Sequence, residues 1–130
     1  MELLYQLEEA DGYLAAHVTG EWHLNPVYRL IDALVGECRA RNFDCLLVDC
    51  LDVEISGMVL EYERYLVGGR LAEKLGTLRL AALFPAEQIN KFAESVAVGA
   101  GAQVLVTADR EEALRWLAQG APSGSGRNDG

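Results

Sequence analysis

At 130 residues, with 51% hydrophobic and 24% charged residues, the chain has the length and balance of one globular domain. A chain of this size buries roughly two-thirds of its unfolded surface, so its core needs no disulfide or metal staple. A net charge of −9 repels phosphate backbones and anionic lipid, which argues against nucleic acid or a polybasic membrane mode as partners.

The opening residues, MELLYQLEEADG, lack a basic stretch followed by an apolar one, so no signal peptide is expected. No run reaches the ~20 apolar residues of a transmembrane segment, and the cytoplasm is the expected location. Leu3–Glu9 and Tyr13–Thr19 read as strands around Asp11-Gly12, a dipeptide that tolerates positive φ and so predicts a hairpin. Asn25-Pro26 then predicts a helix start, with Asn25 as the cap. Val27, Leu30, Ile31, Leu34, Val35 and Cys38 follow at helical spacing, and the helix is expected to run over 25–42. Cys45–Cys50, CLLVDC, is a short apolar run that predicts a central strand buried on both faces. The three cysteines, Cys38, Cys45 and Cys50, show no zinc-like spacing and read as buried, reduced thiols.

A second helix is predicted over 58–75. Val59, Leu60, Tyr62, Tyr65, Leu66, Val67, Leu71 and Leu75 make it apolar around much of its girth. Gly68-Gly69 sits within it, and each internal glycine costs about 1 kcal/mol relative to alanine, so close packing against a neighbour is the expected reason. Leu78–Phe84 reads as a strand ended by Pro85. Ile89, Phe92, Ala93, Val96 and Ala97 predict a helix over 86–100, closed by Gly99 or by Gly101 in the left-handed position. Val104–Thr107 reads as the last strand. Asp109 and Glu112 form a capping-box-like pair for a helix over 109–118 that carries Ala113, Leu114, Trp116 and Leu117. From 119 onward QGAPSGSGRNDG is too poor in apolar residues to build a core, and a disordered tail is expected over 119–130.

The order ββαβαβαβα predicts a single α/β domain over 1–118, with a five-stranded, mostly parallel sheet whose first strand is antiparallel. Leu14, Ala16 and Val18 alternate with Tyr13, His17 and Thr19. Leu78, Leu80 and Ala82 oppose Arg79, and Val104 and Val106 oppose Gln103 and Thr107. Alternation of this kind predicts one dry face and one partly wet face, with the helices mainly on one side. Leu47, Leu83 and Leu105 fall on the wetter side and point to partial cover there.

The segments INKFAESVAVGAGAQVLVTADREEALRWL and VDCLDVEISGM, with this element order, resemble the STAS domain family, in particular its stand-alone bacterial SpoIIAA-like branch. The resemblance spans about Leu3–Leu117. It implies a βα superhelix with strands in chain order, and a protein-interaction or ligand-sensing role rather than catalysis. Signalling members of the family carry a phosphorylatable serine in a D-S-S-G-like turn. Here that turn reads Asp52-Val53-Glu54-Ile55-Ser56-Gly57, where Ser56 aligns with the second serine and Ile55 with the modified one. An obligatory phospho-switch at Ser56 is therefore not expected.

Parallel α/β sheets place their sites at the carboxyl ends of the strands. Here that edge gathers Trp22, His23, Asp52, Glu54 and Ser56, and Met58, Val59 and Tyr62 extend an apolar surface from it. These eight residues are the expected binding rim. Asp49, Asp52 and Glu54 are hard-oxygen ligands in one short loop without a second cluster, so no metal is expected. Asp49 is expected to accept backbone N–H bonds. His23 and Ser56 lack any G-x-S-x-G context, so no catalytic set is expected, and no glycine pattern for a nucleotide cofactor follows a strand. His17 reads as a solvated mid-strand residue. The chain thus reads as a binding or regulatory module for a protein partner. The alternative is a carrier or sensor of a lipid or small hydrophobic ligand held under the second helix. Homodimerisation is left open.

Overall fold

The computed structural model describes residues 3–55, 61–89 and 91–119. Five strands form one sheet in chain order: β1 (Leu4–Ala10), β2 (Tyr13–Glu21), β3 (Cys45–Glu54), β4 (Arg79–Leu83) and β5 (Gln103–Thr107). β1 pairs antiparallel with β2, and every later pair is parallel. Gly12 turns the hairpin with φ of 90°, a conformation that costs glycine little. Four helices follow the pattern read from the sequence: α1 (Leu24–Arg41), α2 (Glu61–Leu75), α3 (Phe92–Gly99) and α4 (Arg110–Gln119).

Side-chain alternation divides the core in two. Leu14, Ala16 and Val18 of β2, Leu46, Val48 and Cys50 of β3, and Leu80 and Ala82 of β4 pack beneath α1, α2 and α3. Cys45 and Leu47 of β3 and Ala81 and Leu83 of β4 pack on the opposite face against Ala113 and Leu117 of α4. The Cys45–Val48 half of β3 is thus buried on both sides, as its unbroken apolar run requires. Three helices share one face, and α4 alone covers part of the other. Arg79 fastens α4 in place. Its guanidinium lies 3.9 Å from the centre of the Trp116 ring, and it donates to the Trp116 carbonyl at 2.7 Å and to Gln103 Oε1 at 2.7 Å.

Three boundaries differ from the sequence reading. α1 starts at Leu24, with His23 rather than Asn25 in the extended cap position. Pro26 is then the third helical residue. It still loses nothing, because Val27 N–H is the one that bonds back to His23 O, at 3.0 Å. The helix expected over 86–100 is instead a single 3-10 turn, Ala86–Gln88, followed by α3. Ile89 is extended and Lys91 is left-handed at φ of 65°, so the chain cannot continue helically between them. Finally, Asp109 and Glu112 do not form a reciprocal box. Asp109 Oδ1 accepts from the N–H groups of Glu111 at 3.0 Å and Glu112 at 3.4 Å, but the Glu112 carboxylate takes the Thr107 hydroxyl instead. The start of the second helix at 58–60 and the tail at 120–130 lie outside the described residues.

Gly68 is where α2 meets α3. A Cβ placed there would sit 2.6 Å from Ala93 O and 2.7 Å from Val96 Cβ, whereas one at Gly69 would meet nothing within 4 Å. Backbone cannot yield cheaply, so Gly68→Ala is expected to destabilise by about 1–3 kcal/mol. Gly69→Ala is expected to be neutral or to stabilise by up to about 1 kcal/mol, from helix propensity alone. Urea unfolding of the two variants checks the contrast, and equal effects would contradict it.

All three thiols are buried and unpaired. Burial pushes Cys50 up to about 12 and Cys38 up to about 11, from an ordinary 9.0, and raises Cys45 as well. Folding thus favours the protonated thiols. Their contribution to stability is fully present below about pH 9 and is lost as the pH rises through the folded values. Iodoacetamide at pH 8 is expected to label Cys50 at least about 100-fold more slowly in the native protein than in denaturant, because the thiolate is the reactive form. Comparable rates would contradict the burial.

Candidate functional site

The register between β2 and β3 is broken once. His17 faces Asp49 and Thr19 faces Asp52, so β3 spends one more residue than β2 across this step. That is a β-bulge, with Val18 opposite Cys50 and Leu51. Without it, side chains would alternate and Asp52 would share the core-facing side of Cys50. With it, Cys50 and Val53 both enter the core, while Leu51, Asp52 and Glu54 are exposed.

Asp49 holds the bulge. Its Oδ1 accepts the Leu51 N–H at 3.0 Å, and its Oδ2 is ion-paired with Arg110 at the start of α4. Asp49 is 15% exposed and Arg110 50% exposed. The backbone bond matches the role expected for Asp49; the Arg110 pair was not foreseen. The asymmetry in burial sets an expected order. Asp49→Ala, which removes both the acceptor of the Leu51 N–H and the partner of Arg110, should cost about 1–3 kcal/mol. Arg110→Ala breaks a water-screened pair and should cost under about 1 kcal/mol. Guanidinium unfolding of both variants tests this ranking, and the reverse order would contradict it.

The rim beyond the bulge is built from the ends of β2 and β3. His17 Nε2 lies 2.8 Å from Asp52 Oδ2, so His17 is exposed but partnered, not merely solvated. His23 Nε2 lies 3.3 Å from Glu21 Oε1. Glu21 stands directly opposite Glu54 in the register. The result is an acidic ridge of Glu21, Asp52 and Glu54 edged by two histidines. Trp22 does not project from it. Its backbone N–H donates to Glu54 O at 2.8 Å, and its partly buried ring meets Phe84 edge-on at a centroid distance of 6.2 Å. It closes the end of the core like a lid.

Tyr62, at the start of α2, is 68% exposed, and Tyr65, one turn later, is 55% exposed. Val67, Leu71 and Leu75 form the buried side of the same helix. The helix therefore shows water an aromatic pair in addition to its packed stripe. Ser56, Met58 and Val59 lie outside the described residues. Of the expected rim, then, His23, Asp52 and Glu54 are together at the carboxyl edge with Trp22 beneath them, and Tyr62 stands on the helix that follows β3. The sequence reading missed His17, Glu21 and Tyr65 as rim members. The shared outward parity of His17 and Thr19 was the available signal for the first.

Among the described residues no group of three or more His, Cys, Asp or Glu side chains is arranged to hold a metal ion, and no helix is long and apolar enough to cross a membrane.

Solved structures share this architecture. An anti-sigma factor antagonist from Mycobacterium paratuberculosis superposes with a TM-score of 0.59 at 17% identity, over 90% of this chain and 95% of that one. An uncharacterised protein with a SpoIIAA-like fold from Shewanella loihica PV-4 gives 0.53 at 17% identity, over 89% and 93%. The unphosphorylated form of the anti-sigma factor antagonist SpoIIAA gives 0.50 at 18% identity, over 88% and 98%. No family model and no curated protein matches the sequence. The chain has the SpoIIAA-like fold of the STAS domains, as the element order and the C-terminal segment led one to expect.

Proposed function

We propose that the protein is a non-enzymatic regulatory module that binds a protein partner through the acidic ridge and the exposed face of α2. The observations that carry this reading are the outward-turned carboxylates at the carboxyl edge of the sheet and the unpacked aromatics Tyr62 and Tyr65 on the helix that follows β3. Aromatic side chains bring large contact area at low entropic cost and are enriched where proteins meet. The fold supports the reading, because two of its solved relatives are anti-sigma factor antagonists by name. The carboxylates select a partner whose docking surface is cationic around an apolar centre. Three unpaired thiols suit a reducing compartment, so the reading places the protein in the cytoplasm.

The test is site-specific photo-crosslinking in cells. A benzophenone side chain at position 62 is expected to give a discrete protein adduct. Charge reversal at Asp52 and Glu54 to lysine should remove that adduct while circular dichroism stays native. The same probe at Thr77, at the other end of the sheet, should give none. Equal labelling from both positions, or no adduct at position 62, would contradict the proposal.

A further inference from the structure

The larger of the two cores is not filled. Between the sheet and the helices α1, α2 and α3 lies a cavity of about 130 Å³, walled by Leu30, Leu34, Val48, Val67, Leu71 and Ala82 among others. Interiors are packed like organic crystals, so a void of this size forfeits contacts that a guest would restore. An apolar cavity of about 150 Å³ stays dry and takes a benzene-sized molecule.

Two residues on the wall of this cavity, Trp22 and Arg64, each carry a buried donor. Trp22 Nε1 and Arg64 Nε are both screened from solvent, and neither has a hydrogen-bond partner among the described residues. Lys91 and Glu94, also on the wall, are already engaged: Lys91 Nζ lies 3.2 Å from Glu94 Oε2, and Glu94 accepts the Val106 N–H at 2.5 Å. Arg64 is different. Among the described residues no carboxylate lies within ion-pair distance of it. Arg64 is half-buried as a residue, but its Nε is cut off from solvent, and a buried donor left unmade costs the desolvation of that group.

We propose that this cavity is a binding site for a small apolar carboxylate, with its chain among the aliphatic side chains and its carboxylate on Arg64 and Trp22. This site is separate from the acidic ridge and does not depend on the reading of the ridge. One arginine balances one negative charge, so a monoanion fits and a phosphate dianion does not. The volume holds an aromatic ring or a chain of about six carbons, and excludes a two-chain lipid. The two N–H groups offer the carboxylate one donor for each oxygen, a charge-assisted arrangement on the Arg64 side.

Calorimetry and methyl NMR on the whole chain, with hexanoate as the probe and hexan-1-ol as its uncharged counterpart, test the proposal. Hexanoate is expected to bind one to one, with a negative heat-capacity change and shifts at the Val67 and Leu71 methyl groups. Hexan-1-ol is expected to bind at least about tenfold more weakly, since it lacks the charge that Arg64 would pair. Arg64→Met should lower hexanoate affinity by at least about tenfold and leave hexan-1-ol within about twofold, and Arg64→Lys should recover part of the loss. Ala82→Leu, checked for native circular dichroism, should fill the cavity and abolish both. If Ala82→Leu fails to fold, the arginine pair of variants still decides. No binding at millimolar hexanoate, equal affinity for the acid and the alcohol, or an unchanged affinity in Arg64→Met would each overturn the proposal.

Discussion

Val18 of β2 faces two residues of β3, and that single extra residue decides which side chains the end of the sheet shows to solvent. Strand parity is a rigid rule: one inserted residue exchanges inside for outside for everything that follows. Cys50 and Val53 can both be core residues only because the bulge lies between them, and Asp52 and Glu54 are free for the same reason. The bulge frees the Leu51 amide from the β2–β3 pairing, and Asp49 supplies the acceptor. A carboxylate at the end of an otherwise apolar strand is thereby explained. It belongs to the backbone of the turn and to the anchoring of α4 through Arg110, not to the ridge itself.

The same accounting explains why the sheet has two unequal sides. On the α4 side only β3 and β4 each bring a fully buried apolar pair, with Tyr13 of β2 packed at their edge. A short helix with Ala113 and Leu117 is enough to cover those four residues, while three helices are needed on the other side. Tight packing at Gly68 and loose packing at the cavity coexist on that larger side. α2 is pinned where it meets α3, and its Val67 and Leu71 border the void.

Much of this was legible in the residues. The Asp11-Gly12 hairpin, the two-sided burial of the apolar run that opens β3, the strand order and the outward face of β2 all follow from alternation and turn chemistry. What was not legible depended on long-range geometry. The helix break at Ile89–Lys91 is anchored by the Lys91 amine reaching the Val106 carbonyl on β5, a contact that local periodicity does not encode. The early start of α1 followed from Pro26 being as acceptable at the third helical position as at the first. The bulge left no local mark, because Leu51 and Asp52 look like an ordinary strand end. His17 and Glu21 therefore went unassigned, although their partners Asp52 and His23 were named. The spare apolar girth of the second helix was visible, and the structure divides it between a buried stripe, the cavity wall and the exposed Tyr62 and Tyr65.

The account rests on the claim that Asp49 fixes the bulge and so turns the ridge outward. Residue-resolved amide exchange measures this most directly, in the native chain and in Asp49→Ala. The account predicts a protected Leu51 amide in the native chain. In the variant, exchange at Leu51, Asp52 and Glu54 should quicken by about tenfold or more, the equivalent of one lost hydrogen bond, with the β4 amides unchanged. A Leu51 amide that exchanges freely in the native chain, or one indifferent to the loss of Asp49, would contradict it.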